Sequence, residues 1–226
     1  MKSRILAMSL AAASALAALP AAAQVSGVAV TDHAIAIAGA QARQTGYQQI
    51  STTYQAQLTQ MEQVQQQRAG LLRQFDTNGD GQLNEQEQTA AQANTAVIQQ
   101  IQGLDQQIAT IQQPITLARI YVVEQIAQQL SPAVQSVVQA NNVQLIVNPN
   151  AVLYMADPAE LTDEIVAQLN SSVPTVSTAV PQGWQPSQQS VNLFQQVQEI
   201  LLTVAQQQQQ AAAQQQPAAA TPVQGR

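Results

Sequence analysis

No cysteine occurs anywhere in the chain, so neither a disulfide nor a thiolate nucleophile is available, and stability must come from burial and association. Lysine is confined to Lys2, and seven basic residues face thirteen acidic ones for a net charge of −6. That balance excludes a basic nucleic-acid footprint and a polybasic lipid-binding segment. The only histidine is His33, placed like an exposed residue at a helix start. No Gly-x-Ser-x-Gly elbow and no Gly-rich phosphate loop are present. Acid pairs such as Asp163-Glu164 and Asp157 with Glu160 stand at expected helix starts, where they complement the helix dipole. Catalysis therefore lacks its parts, and a binding role is expected instead of an enzyme. Aromatics are scarce too: Tyr47, Tyr54, Phe75, Tyr121, Tyr154, Trp184 and Phe194 are too few to fill a core for a chain of 226 residues. In their place stands glutamine, an uncharged helix former suited to long solvated helices.

Lys2 and Arg4 precede an apolar run from Ile5 to Leu19 that ends in Pro20-Ala21-Ala22-Ala23-Gln24. A short basic segment, an apolar stretch and small residues before a polar one describe a secretory signal peptide over 1–23, cleaved after Ala23. Export to the periplasm is the expectation. Removing Lys2 and Arg4 leaves five arginines against thirteen acids, a formal −8. No later stretch reaches the ~18 to 20 apolar residues of a transmembrane helix.

Two apolar stripes organise the middle of the chain. The first is Tyr47, Ile50, Tyr54, Leu58, Met61, Val64, Leu71 and Phe75, in steps of mostly three or four, with Arg68 interrupting the register. The second is Val97, Ile101, Leu104, Ile108, Ile111, Ile115, Ala118, Val122, Ile126 and Leu130, close to a heptad seam. Each stripe needs a partner, so residues 47–130 are expected to form an antiparallel helical hairpin, bent but not ended at Pro114. Around it, 24–46 and 131–170 read as a small β body. Val25–Val30 is a strand, Thr31 or Asp32 a cap, and Ser131-Pro132 a helix restart. Val143–Val147 and Ala151–Met155 read as two strands about the Asn148-Pro149-Asn150 turn. Thr162 reads as an N-cap, with a Leu161–Val166 staple, for a helix to about Asn170. Residues 171–186 read as an extended linker, 187–206 as an amphipathic helix capped by Ser187, and 207–226 as a disordered Gln/Ala/Pro tail. The fold class is thus α+β and mainly α: a long coiled-coil hairpin arm projecting from a small β body.

One motif is sharp. Asp76-Thr-Asn78-Gly-Asp80-Gly81-Gln82-Leu83-Asn84-Glu85-Gln86-Glu87 fits the EF-hand calcium loop position by position. Calcium takes six to eight hard oxygens, and this spacing offers them. Asp76, Asn78 and Asp80 would give side-chain oxygens, Gln82 its carbonyl, Asn84 a contact through water, and Glu87 both carboxylate oxygens. Gly81 permits the turn, and Leu83 takes the apolar anchoring position. Asn-Gly-Asp-Gly is also good turn chemistry by itself, which is the bland alternative. Only one loop is present, with three carboxylates at its ligand positions (Asp76, Asp80 and Glu87) and with Gln88, Ala91 and Gln92 where packing residues are usual. A weak calcium site is the expectation, roughly 10⁻⁵ to 10⁻³ M.

Residues 132–170, PAVQSVVQANNVQLIVNPNAVLYMADPAELTDEIVAQLN, resemble the C-terminal core of the Skp/OmpH family of periplasmic chaperones. The words that carry this are Leu145-Ile-Val147, Ala151-Val-Leu-Tyr154 and Leu161-Thr-Asp-Glu-Ile165 running on to Leu169-Asn170, and a strand before a coiled hairpin fits as well. The resemblance implies a homotrimer whose strands join in one β body and whose arms enclose unfolded outer-membrane proteins without nucleotide. An ATP-independent holdase is the function implied; the alternative is a calcium-responsive binding or sensing module on a chaperone-like scaffold. Two features depart from the family: these arms are Gln-rich where the family's are often rich in Lys and Arg, and the helix after 187 is an addition.

Overall fold

The computed structural model describes residues 27–154 and 159–214, so the expected signal peptide and the last twelve residues of the expected tail, 215–226, lie outside the described residues. The chain enters on β1 (Val28–Val30). Asp32 then caps α1 (His33–Gly39), its carboxylate accepting from the N–H groups of Ala34 and Ile35 at 2.9 and 3.0 Å. After an extended Ala40 come α2 (Gln41–Thr53) and α3 (Gln55–Arg73). The break between them at Tyr54 is slight, because Tyr54 N–H still donates to Ile50 and Leu58 N–H to Tyr54, both at 2.9 Å. A polar loop leads to α4 (Glu85–Ala93) and then to α5 (Thr95–Ala140), a helix of 46 residues.

The expected hairpin is present, with α5 running antiparallel to α2 and α3. Tyr47 sits beside Arg119, while Arg68, further along, meets Asp105 at 2.6 Å. Advance along one helix is retreat along the other. The arginine that interrupted the first stripe thus pairs across the arm. Both stripes face inward: Ile50, Val64, Val97, Ile101, Ile111, Ile115, Ala118, Val122 and Ile126 are buried. The helix passes through Pro114, as expected, and also through Pro132, where a stop and restart was expected. Proline costs a helix interior ~3 kcal/mol. Here Ile111, Ile115 and Ala118 around the first proline and Ala133 and Val137 after the second are buried, and that packing keeps the helix whole.

The strand arrangement differs from expectation. β2 (Leu145–Val147) pairs in parallel with β1, Val28 opposite Leu145 and Val30 opposite Val147. Pro149–Ala151 is a 3₁₀ turn, capped by Asn148 Oδ1 accepting from Asn150 N–H at 2.9 Å, and residues 152–154 form no strand. The expected strand over Ala151–Met155 is therefore not found, and Met155 lies outside the described residues. The side-chain cap and the fixed φ of Pro149 favour a helical turn over a tight hairpin, and β1 supplies the partner that β2 needs. The chain returns at Glu160, which bridges Val30, and enters α6 (Thr162–Ser172). Leu161 takes the cap position. Thr162, the expected cap, is instead the first helical residue, with its hydroxyl accepting from Asp32 N–H at 2.9 Å.

Of residues 171–186, expected as an extended linker, the first two complete α6, and the rest are strapped along α5. The Gln125 amide exchanges two hydrogen bonds with the backbone of Ser177, at 2.8 and 3.0 Å. Trp184 stands edge-on to Tyr121 at 5.0 Å and donates to Glu124 at 3.2 Å. Ser187 accepts from Ser190 N–H at 3.0 Å and so caps α7 (Gln188–Gln214), while the Ser190 hydroxyl donates to Glu124 at 2.5 Å. This helix packs on α1 and α5, burying Val197 and half-burying Leu193, Phe194, Ile200 and Leu201. It continues to Gln214, through residues expected to be disordered, because Gln and Ala propagate a helix once packing has nucleated it. The core lies where α1, α2, the second half of α5, α6 and α7 meet, around Ile37, Ile50, Ile126, Ile165 and Leu169.

Candidate functional site

Two places carry chemistry beyond packing: the tip of the arm and its root. At the tip, the loop between α3 and α4 is closed by its own side chains. Asp76 accepts from Gly79 N–H at 2.7 Å and from Gly81 N–H at 2.9 Å, one with each carboxylate oxygen. Both glycines have positive φ, 73° and 80°, which side-chain-bearing residues rarely adopt. Asn78 Oδ1 accepts from Asp80 N–H at 3.0 Å, and Asn78 Nδ2 donates to Asp80 at 2.9 Å. Asp80 in turn accepts from Gln82 N–H at 2.8 Å. Gln82 is exposed, and its backbone N–H is the only group of its own engaged in this network.

Asn84 and Glu87 form a capping box at the start of α4. Asn84 Oδ1 accepts from Gln86 and Glu87 N–H at 3.0 and 3.1 Å, and Glu87 Oε2 accepts from Asn84 N–H at 3.0 Å. The other Glu87 oxygen reaches back across the loop to Thr77 N–H at 2.8 Å, the Thr77 hydroxyl at 2.6 Å and Asn78 N–H at 3.3 Å. Glu87 is enclosed, only 4 % exposed. The Thr77 hydroxyl, and after it the Asn84 and Thr77 N–H groups, hold its carboxyl below the usual range. Glu87 thus ties the start of the loop to the start of the exiting helix.

The six residues that the sequence marks out are accordingly brought together in two clusters, Asp76–Asn78–Asp80–Gln82 and Asn84–Glu87, joined through Thr77 and Asn78. Their oxygens face backbone N–H donors. Among the described residues no three His, Cys, Asp or Glu side chains converge closely enough to hold a metal as they stand. The donor type nonetheless suits a hard cation: carboxylate and amide oxygens, with glycines at the two turning positions. Thr77, whose hydroxyl contributes to holding Glu87, carries no signal in the sequence that would have found it.

At the root, Ala29 and Val30 of β1 are buried, but other apolar residues of the strand region point outward. Leu145 is 55 % exposed, and Leu153 and Tyr154 are 106 % and 88 % exposed. Two three-residue strands in parallel have no independent stability, and parallel sheets are normally covered on both faces. Among the described residues no helix is long and apolar enough to cross a membrane.

A two-helix arm on a small root with uncovered strands defines a class of extended, non-globular binding proteins. The model of the OmpH-like outer membrane protein family matches residues 27–169, and the chain belongs to that family. No curated protein matches the chain. Among solved structures, a candidate outer membrane chaperone (OmpH-like) from Caulobacter crescentus CB15 is similar, at 18% identity and a TM-score of 0.41 over 68% of this chain and 89% of that one. The strap and α7 lie beyond the part that the family model covers.

Proposed function

We propose that this protein is an ATP-independent periplasmic holdase that grips unfolded outer-membrane proteins between the arms of a homotrimer. The observation that carries this reading is membership of the OmpH-like family across the strand pair, hairpin and α6. The uncovered root supports the trimer: β1 and β2 gain partners, and Leu145, Leu153 and Tyr154 gain cover, when strands of sister chains join them. The test has two parts. Sedimentation reads the oligomer, and light scattering follows a denatured β-barrel protein diluted into buffer with and without this one. A monomer that leaves the scattering unchanged overturns the proposal.

The loop at 76–87 supports a second element, a weakly bound calcium ion. Asp76, Asn78, Asp80, Gln82, Asn84 and Glu87 would hold it, and the ion would supply charge neutralisation and order at the arm tip. Positive φ at Gly79 and Gly81 and the bonds from Asp76 to both favour this over a purely structural turn. Calorimetric titration tests it. Saturable heat below millimolar calcium that is lost in Glu87→Gln is expected, and no heat removes the site. Repeating the scattering assay in calcium and in chelator separates a holdase with a structural ion from a calcium-responsive module, whose client protection changes between the two.

A further inference from the structure

Among the described apolar side chains of α7 only Val197 is fully buried, and a groove of about 1220 Å³ lies between this helix and the start of α1. The α7 wall is a single stripe from Gln189 through Leu193, Gln196, Ile200 and Thr203 to Gln207, in steps of four and three. From 189 to 207 the helix advances 18 residues, about 27 Å at ~1.5 Å each, the length of roughly eight residues of extended chain. Thr31–Ile35 line the groove from the α1 side, and Leu130 of α5 and Ile146 of β2 complete it. Ile35 and Val204, on its two walls, are 46 % and 43 % exposed, so apolar surface stands open to water there. Each wall also carries a carboxylate, Asp32 at the cap of α1 and Glu199 on α7, and no lysine or arginine lines the groove. Neither acid takes part in an ion pair among the described residues. Thr31 is only 4 % exposed, and its hydroxyl has no hydrogen-bond partner. A buried polar group without a partner costs free energy that a polar group of an occupant would restore.

We propose that the groove between α1 and α7 docks an extended segment of another polypeptide, one that carries basic side chains among apolar ones. Size sets aside a small molecule, whose pockets run to ~300–1,000 Å³. The two acids set aside an anionic partner such as a nucleic acid and favour Lys or Arg on the occupant. Ile35, Ile200 and Val204 offer cover to the apolar side chains between those charges. The carboxamides of Asn148, Gln189 and Gln196 can both donate to and accept from a peptide backbone. A second copy of this chain fits less well, because its acids outnumber its bases thirteen to seven and would meet the groove with like charge. The α7 wall lies past residue 169, where the family match ends. The site depends neither on the trimer nor on the arm-tip loop, and it does not rest on the holdase reading.

The test uses the full chain at pH 8 and a fluorescein-labelled ten-residue peptide that alternates valine with serine and carries an arginine near each end, with binding read by fluorescence anisotropy. Saturable binding that falls at least tenfold when both peptide arginines are replaced by glutamate supports the site. Glu199→Arg, at an exposed position, should weaken binding about tenfold, and Glu199→Asp should keep most of it. Leu202→Ser, exposed on α7 but outside the groove, should leave it unchanged. Amide NMR of the unaltered protein gives a reading that does not depend on any variant folding: signals of Thr31, Ile35, Ile200 and Val204 shift on adding peptide, while those of Gly79 and Gly81 at the arm tip stay in place. No saturable binding, equal binding of the glutamate peptide, or binding untouched by Glu199→Arg overturns the proposal. The same shifts without peptide, on concentrating the protein or on removing residues 215–226, also overturn it, since the groove would then belong to a second copy or to this chain's own tail.

Discussion

Tyr47 gives this protein an alkaline weak point whose size can be worked out. Burial, opposed by Arg43, Arg119 and Gln198, pushes its phenol up to about 12 from an ordinary 10. The folded state therefore keeps the proton that the unfolded chain releases above pH 10. Stability is intact below pH 10 and is lost as the pH climbs toward 12, because the folded protein then binds more protons than the unfolded one. At ~1.36 kcal/mol per pKa unit, the loss is about 1.4 kcal/mol by pH 11 and about 2.3 kcal/mol by pH 12. Against a typical stability of ~5–15 kcal/mol this is a large share. The perturbation is Tyr47→Phe, which keeps the ring for Arg43 and Arg119 but removes the ionisable hydroxyl. It leaves the Gln198 amide without its partner, at about 1 kcal/mol near neutrality. Urea unfolding followed by far-ultraviolet circular dichroism at pH 8, 10 and 11.5 should show the variant weaker than the parent at pH 8 and level with it or stronger at pH 11.5. Tyr54, Tyr121 and Tyr154 remain in both proteins and cancel. Parallel pH curves for the two would refute the reasoning, since the alkaline loss would then belong to other groups.

Three further outcomes can be checked, two by denaturant melts and one by amide NMR signals. Ile126→Ala, at a fully buried site, should cost ~2–5 kcal/mol, whereas Leu202→Ala, at a largely exposed one, should stay within ~0.5 kcal/mol by denaturant melts. Gly70→Ala and Gly103→Ala, where an added methyl meets nothing, should each stabilise the arm by about 0.5–1 kcal/mol, while Gly46→Ala drives its methyl to 3.1 Å from Val122 and should destabilise. Glu87, with its pKa lowered by the Thr77 hydroxyl and the backbone donors, should keep the loop ordered until the pH drops below the usual carboxylate range. Amide signals of Thr77 and Asn78 should then collapse on acidification, and Glu87→Gln should already weaken their protection at pH 7.

The arm was legible in the sequence because a helix that buries one face must repeat every three to four residues. Val64, Ile101, Ile115 and Ile126 fall on that repeat and are buried. The twelve-residue loop was legible because its glycines and acids stand at fixed spacing. What escaped was decided at long range. Nothing near Leu145 announces that its partner is Val28, across the whole arm, so the local pattern suggests two nearby strands where one strand and a 3₁₀ turn stand. Proline at 132 looked like a boundary because propensity is local, while the burial of Ala133 and Val137 that overrides it is not. Residues 173–187 have linker composition, and only the fold shows Gln125 and Glu124 waiting for Ser177 and Trp184. The same is true of Arg43 and Arg119, which the sequence keeps far apart and the fold brings to the one ring of Tyr47.

The distribution of burial makes the arm and the body mechanically different, and this too can be measured. In the body, Ile37, Ile50, Ile126, Ile165 and Leu169 are sealed among five helices. In the arm, Val64 is the only residue of α3 that is buried, facing a seam of Val97, Ile101 and Ile111, and Gly70 and Gly103 add slack. Opening free energy follows local burial, so the arm should open on its own well before the body does. Hydrogen exchange read by mass spectrometry should show peptides from 58–112 exchanging orders of magnitude faster than those from 115–137, with protection rising as residues approach Ile115. Under the proposed holdase role, a graded arm of this kind would adjust its spacing to unfolded chains of different size while the root stays fixed. Uniform protection from arm tip to root would mean that the hairpin is a rigid strut, and in the proposed trimer the accommodation of clients would then have to come from movement between chains.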